Sequence, residues 1–365
     1  MSGTYDIAII GAGMAGASLA ASLAGEASVI MIEAEDAPGY HSTGRSAAFW
    51  EETYGGPEIF PLTVGSGPYL REGGLLTRRG VLHIGRAGDE GAIDAFMARF
   101  QALGADIAKL GRDRLVEIVP GLKPEWVHGT WSEGCADIDV AALHAHFLSR
   151  ARAQGAMLKT GARLKSAERG ADGWTLGFGH GDTVRAGILV NAAGAWADEI
   201  AGIAGARPVG ITPLRRTVVQ LRCQPAAPAA LPLVLDIQES FYFKPESGRL
   251  WLSPHDETPT PPCDAAPEEL DVAVAIDRLE HAVDWKVEAV ERKWAGLRSF
   301  SPDRAPVYGF DPEVAGFFWC AGQGGFGIQT SPAAADMAAA MLLGRDATGP
   351  ATGIDPAPYR IDRFR

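Results

Sequence analysis

The sequence predicts an α/β protein in which a parallel-sheet unit, discontinuous along the chain, is interrupted by a mainly antiparallel β-sheet unit. Three observations carry this expectation. A strand, a glycine turn and an Ala-rich helix follow one another at the start of the chain (YDIAII, then GAGMAGASLAASLAG), near its middle (RAGILVNAAGAWADEIAGIAG, Arg185 to Gly205) and at its end (FFWCAGQGGFGIQTSPAAADMAAAML). Between the last two, LVLDIQESFYFKPESGRLWLSP reads as a β-hairpin turning around Glu246 to Gly248. A chain of 365 residues also favours two compact units over one small core.

Taken in order, Tyr5 to Ile10 is continuously apolar after Asp6, as a parallel strand buried on both faces requires, and Ser28 to Glu33 (SVIMIE) is a second such strand. From Pro38 to Gly74 the chain is rich in Gly, Pro, Ser and aromatics without a period, which predicts long ordered loops and short helices over a ligand. GVLHIGRAG reads as a strand and DEGAIDAFMARFQALGAD as an amphipathic helix. DVAALHAHFLSRARAQGA repeats the helical period, with Asp139 as its N-cap. The proline-rich stretches Gln224 to Pro232 and Ser253 to Glu269 read as surface loops, and Pro267 stands near the start of a further helix, PEELDVAVAIDRLEHAV. This order assigns residues 1–80, 140–212 and 299–365 to the parallel-sheet unit, and 81–139 and 213–298 to the second unit.

With 47% hydrophobic and 21% charged residues, the composition is that of an ordinary globular protein. A net charge of -12 argues against a nucleic-acid partner, because such binding draws its affinity from clustered Lys and Arg. The four cysteines, Cys135, Cys223, Cys263 and Cys320, lie far apart with no C-x-x-C, so neither a metal site nor a disulfide framework is expected. The N-terminal apolar run is strand-length and lacks a basic flank and cleavage site, and no apolar run approaches the roughly 20 residues of a membrane helix. A cytoplasmic protein without a membrane span is the expectation.

Gly11, Gly13 and Gly16 form G-x-G-x-x-G directly after the first strand, and Glu33 ends the second. The first glycine permits the tight turn, the second lets main chain approach a pyrophosphate, and the third allows close helix–strand packing. The helix N-terminus favours the anion, and an acid at Glu33 accepts ribose hydroxyls while disfavouring a 2'-phosphate. The ligand is therefore FAD or NAD. The long loop GYHSTGRSAAF after Pro38, in place of further regular βαβ units, favours a flavin.

By GAGMAGASLA plus Glu33, YHSTGRSAA, LVNAAGAWAD, ESFYFKP, WAGLRSF and GQGGFGIQTS, in order over nearly the whole chain, the sequence resembles the D-amino acid oxidase superfamily of FAD-dependent oxidoreductases, and within it the D-arginine dehydrogenases. The resemblance implies a Rossmann-like FAD-binding domain and a β-sheet substrate domain. It places Arg45, Ser46 and Ala47 against the isoalloxazine, makes Ala193 and Gly194, with Ala192, a second cofactor-contacting turn, and sets Gly324, Gly325, Gly327 and Ile328 ahead of a helix whose N-terminus faces the flavin N1/C2 region. It implies that Arg215 and Arg298 clamp a substrate carboxylate through the bidentate fork of guanidinium and that Tyr242 and Tyr54 supply hydroxyls nearby; with TVVQL as a strand, alternation turns the neighbouring Arg216 the other way. Phe49, Gly80 and Gln329 then belong to the substrate pocket.

The chain also departs from the pattern. Gly80 stands where D-arginine dehydrogenases carry the glutamate that binds a cationic side chain, and Phe49 where they carry a histidine, with Glu51 and Glu52 in the same loop. Neither LRSFSPD nor GRSAAFW offers the Cys or His of covalent attachment, so FAD is expected to be non-covalent. RLWLSP lacks the lysine that sarcosine oxidases use toward oxygen, which favours a dehydrogenase; the electron acceptor is not specified by the sequence. The implied reaction is hydride transfer from the α-carbon of a (D-)amino acid to flavin N5, giving an imino acid that hydrolyses to a 2-oxo acid and ammonia. Alternatives are oxidation of a secondary amine or N-alkyl amino acid, and a 2-hydroxy acid dehydrogenase with His255 or His41 as base, although a proline-rich loop usually exposes a residue such as His255.

Overall fold

In a computed structural model that describes residues 3–365, the strand Thr4–Ile10 pairs in parallel with Thr183–Asn191 on one side and Val29–Ile32 on the other, placing Ile7 opposite both Ile188 and Val29. Met157–Lys159 and Phe317–Ala321 extend the parallel core, and Leu164–Gly170, Gly173–Phe178 and Val307–Phe310 complete an eight-stranded sheet with antiparallel edges. Successive side chains leave opposite faces of a strand. Ile7, Ile9 and Met31 thus pack with Leu19, Leu143, Phe147 and Met337 from the helices Met14–Leu23, Val140–Ala153 and Ser331–Leu343. Ala8, Ile10, Ile30 and Ile32 meet Leu164, Trp174, Ile200 and Trp319 on the other face. Cover on both faces is why these strands read as unbroken apolar runs. Asp139 caps its helix as expected, accepting the Ala142 N–H at 2.9 Å.

The second sheet has ten strands and is antiparallel except where Val81–Arg86 runs beside Leu233–Asp236. Its longest pair is Thr212–Gln224 with Lys286–Phe300, and the expected hairpin is Tyr242–Glu246 with Arg249–Ser253, turned through Ser247 and Gly248 at positive φ. Helices Arg112–Ile118 and Glu269–Ala282 cover one face through Leu115, Val272 and Leu279. A small third sheet joins Phe49–Trp50, Ala136–Ile138 and Leu76–Arg78.

Two local expectations are corrected. Pro38 to Gly74 holds a 13-residue helix, Phe60–Glu72, despite Pro68 in its interior. Burial outweighs the proline: Leu62, Thr63, Ser66 and Leu70 are buried, and the Thr63 carbonyl accepts Trp50 Nε1 at 2.9 Å. Ser253 to Glu269 is not a surface loop throughout. Pro254 is buried, Asp256 is bound to Thr217, and Thr258–Pro259 pairs with the long strand at Leu214 and Arg215. Among the described residues no helix is long and apolar enough to cross a membrane.

Candidate active site

The carboxyl ends of the parallel strands open into a cleft that runs from Glu33 to the long strands of the second sheet. The fingerprint glycines divide their work. A Cβ on Gly11, whose φ is +99°, would meet the Ala192 carbonyl oxygen at 2.4 Å, and one on Gly16 would meet the Gly11 oxygen at 1.9 Å; both are required by packing. A Cβ on Gly13 would meet only Thr43 Oγ1, at 3.3 Å, and would stand in the cleft, so this glycine keeps ligand space open. The helix Met14–Leu23 has no side-chain cap from its N-cap Gly13, and the Met14 N–H is taken by Thr43 Oγ1 at 3.0 Å. Glu33 lines the cleft while accepting the Ala12 and Glu35 N–H groups at 2.9 and 3.1 Å, which fixes the carboxylate where ribose hydroxyls would arrive. His41, bound to Glu35 at 3.1 Å and packed on Trp196, belongs to this same end.

Arg45, Ser46 and Ala47 line the middle of the cleft, as do Ala193 and Gly194 from the turn after Asn191. Arg45 presents its backbone there: its carbonyl accepts Trp294 Nε1 at 3.0 Å, while its guanidinium turns away to Asp264 and the Ala265 carbonyl. Gly324, Gly325, Gly327 and Ile328 line the cleft as a turn. A Cβ on Gly325 would meet Arg298 Nη1 at 2.6 Å, so this glycine makes room for that guanidinium. The helix behind them starts only at Ser331, and Ser66 Oγ occupies its Ala333 N–H at 3.1 Å; the turn, rather than the helix end, faces the cleft.

At the far wall the arginine assignment changes. Arg298 lines the cleft, half-buried, donating to the Tyr54 hydroxyl with no carboxylate in ion-pair range among the described residues. Its companion is Arg216, not Arg215. Register decides this: Arg298 lies opposite Leu214 and Gly296 opposite Arg216, so Leu214, Arg216, Gly296 and Arg298 share one face. Arg215, opposite Leu297, turns to the helix side and pairs with Glu268 and Asp271. Arg216 donates Nε to the Asp256 carbonyl at 2.7 Å and Nη2 to Glu257 at 3.2 Å, while Nη1 is buried without a partner. Burial and the neighbouring Arg298 charge lower its pKa. Tyr242 lines the same wall with its hydroxyl buried and unpartnered.

The remaining pocket residues stand behind this wall. Phe49 packs edge-on to Tyr54 and Tyr242 at 5.0 and 5.9 Å. Gln329 is a buried clip, donating to the Tyr54 carbonyl at 3.1 Å and Thr63 Oγ1 at 3.0 Å. Gly80 is not at the cleft; its φ is +82°, and a Cβ there would meet the Trp131 ring at 2.5 Å, so a turn into the strand explains it. Glu51 is buried with Thr53 Oγ1 on its carboxylate, at 2.8 and 2.9 Å, and burial outweighs the hydrogen bonds from Thr53 and Tyr54 to lift its pKa to about 7. Its charge acts on Cys135, which packs with Phe49 and Tyr242.

A family model described as DAO, FAD dependent oxidoreductase, matches residues 6–341. The chain belongs to the DAO family. Over 185 residues it is 27% identical to hydrogen cyanide synthase subunit HcnC of Pseudomonas aeruginosa, spanning 48% of this chain and 40% of that one. To glycine oxidase of the same organism it is 28% identical over 186 residues, 48% of this chain and 46% of that one. The matches thus span less than half the length of these curated relatives. The crystal structure of glycine oxidase from Geobacillus kaustophilus superposes with a TM-score of 0.83 at 23% identity, covering 98% of both chains, which shows the shared fold. As a DAO protein the chain is an FAD-dependent oxidoreductase, and the main-chain cradle at Gly13, Ala193 and Gly194 suits that cofactor.

Two residues at or beside the far wall are not among those the sequence places there. Strand alternation alone leaves open which of Arg215 and Arg216 faces the cleft, and the pairing register sets it. His255 lies against Tyr54 and Tyr242, with ring centroids 6.3 and 5.8 Å away, rather than at the surface. Its φ is +55° and that of its partner Glu239 is +57°, conformations that cost about 1 kcal/mol each in non-glycine residues. Burial, then Arg216 and Arg298, hold its pKa far below the usual imidazole range. The signal available was the run Ser253 to Glu257, whose polar residues sit among prolines next to a hairpin strand.

Proposed function

We propose that this DAO protein is an amino-acid dehydrogenase, oxidising a (D-)amino acid to an imino acid that water converts to a 2-oxo acid and ammonia. The observation that carries the reading is the wall of two arginines on one sheet face, half-buried Arg298 without a carboxylate and buried Arg216 with a free Nη1, beside the unpartnered hydroxyl of Tyr242. Two like charges held together, one of them buried, call for an anion between them, and a carboxylate satisfies both forks. FAD, bound non-covalently, supplies the acceptor for the hydride leaving the α-carbon. The protein's share is positioning: Arg216 and Arg298 fix the carboxylate, Tyr54 holds Arg298, and the aromatic surround of Phe49, Tyr54 and Tyr242 excludes water. Hydride departure needs a neutral amine, whose lone pair assists it. The D configuration rests on the resemblance of the motifs, and dehydrogenase over oxidase on the lack of a lysine in RLWLSP.

An anaerobic panel of D- and L-amino acids, scored by bleaching of the flavin, tests this. Bleaching by D isomers is expected; bleaching by L isomers alone overturns the stereochemical part, and bleaching by no amino acid overturns the whole.

A further inference from the structure

His255 has one ring nitrogen committed and one free. Nδ1 lies 2.6 Å from the Glu239 carbonyl oxygen, which can only accept, so Nδ1 carries the proton and Nε2 keeps its lone pair. Nε2 makes no hydrogen bond among the described residues and is not sealed off, since it is absent from the buried atoms without a partner. The ring is clamped in place. Its backbone N–H donates to Ser253 Oγ at 3.2 Å, and the following residue, Asp256, accepts Arg216 Nε through its carbonyl and Thr217 through its carboxylate. Ring contacts to Tyr54 and Tyr242 place the imidazole beside the arginine wall, where Arg216 and Arg298 act on its charge. A cation is disfavoured at that spot, so the imidazole is a lone-pair acceptor among donors. Arg216, Arg298, Tyr54 and Tyr242 all offer N–H or O–H groups.

We propose that His255 Nε2 is the third contact point of the substrate, accepting a hydrogen bond from the N–H of its amine while Arg216 and Arg298 hold its carboxylate. This rests on the carboxylate-clamp reading above and sharpens its substrate class. The ligand carries a hydrogen-bond donor on the atom attached to the α-carbon, so primary and N-monoalkyl amino acids qualify and neutral N,N-dialkyl amino acids do not. His255 thereby adds to the arginine clamp a second criterion, set by hydrogen-bond direction instead of charge.

An isosteric pair of ring carboxylates separates the two parts on the FAD-loaded protein. Pyrrole-2-carboxylate has an N–H beside its carboxylate; furan-2-carboxylate has an oxygen there and no donor. Perturbation of the flavin spectrum reports both, with expected binding of the pyrrole about tenfold tighter. His255→Phe, which keeps a ring against Tyr54 and Tyr242, is expected to bring the two dissociation constants together without weakening the furan. His255→Gln, whose amide can donate to Glu239 and still accept, is expected to restore part of the preference. With amino acids, His255→Phe should raise KM more for a primary amine than for its N,N-dimethyl derivative. Equal binding of the two carboxylates by the parent protein, or an undiminished preference in His255→Phe, overturns the role of His255 while leaving the clamp standing. Failure of both to bind, or binding unaffected by Arg298→Met, overturns the clamp and this inference with it.

Discussion

At one end of the cleft, Gly11, Gly13 and the Ala192 to Gly194 turn present main chain; at the other end Arg216, Tyr242 and Arg298 present side chains from separate strands, with the His255 ring packed against Tyr242. Main chain reads what all FAD-binding proteins share, a pyrophosphate and a planar ring system. Side chains read what differs from one substrate to another. The two ends therefore fail differently. Damage at the first removes the cofactor, and damage at the second leaves a flavoprotein that has lost its substrate.

The largest expected effect is at the cofactor end. Gly16→Ala drives a Cβ toward the Gly11 carbonyl oxygen, 1.9 Å away and without a flexible side chain to yield. The variant should purify without flavin absorbance; recovery of full flavin content would show that the turn adapts. Next comes Arg298→Met, expected to lower kcat/KM for carboxylated substrates by about two orders of magnitude, about 3 kcal/mol, while flavin content stays full. Unchanged kcat/KM would end the distinction between the two ends.

The substrate end also carries the buried acid Glu51. Its pKa rises from 4.5 to about 7 because burial penalises the charged form, so the folded chain keeps a proton that the unfolded chain releases. The contribution to stability is present below pH 4.5 and is lost as the pH rises to about 7. Glu51→Gln should therefore match the parent in thermal unfolding at pH 4 and exceed it at pH 8, by an amount on the order of 3 kcal/mol. A constant offset across that range would mean that Glu51 does not titrate there. The smallest effect separates neighbours. Arg216→Ala should raise KM about tenfold, whereas Arg215→Ala should leave KM alone and lower Tm by about 2–4 °C through loss of its pairs with Glu268 and Asp271. A KM effect in Arg215→Ala that equals the one in Arg216→Ala contradicts the strand facing.

The same contrast explains what was legible in the sequence. Glycine turns declare themselves locally, because strand, turn and helix are contiguous and each glycine answers to a backbone demand; Gly11, Gly13, Gly194 and Gly325 all reach the cleft. The parallel-sheet half and the Tyr242 hairpin were readable for the same reason. Arg216 was not, since its facing depends on a pairing with Gly296, 80 positions away in the chain. His255 was hidden by composition: prolines around it suggest exposure, yet the run is drawn inward by Asp256 binding Thr217. Gly80 resembled a lost specificity residue and is a tight turn against Trp131.

The strand Thr212–Gln224 places Arg216 and Val218 on one face and Arg215 and Val219 on the other, so its two sides are near duplicates. A shift by one position would exchange one guanidinium for another, and apolar patterning alone offers little resistance to that error. The Asp256 carboxylate supplies an index mark, gripping the main chain at Thr217 at 2.7 Å and its hydroxyl at 3.0 Å. Which guanidinium faces the cleft is thus set not in the strand that bears it but in a crossing loop, and drift in that loop can exchange one for the other while the fold around it stays whole.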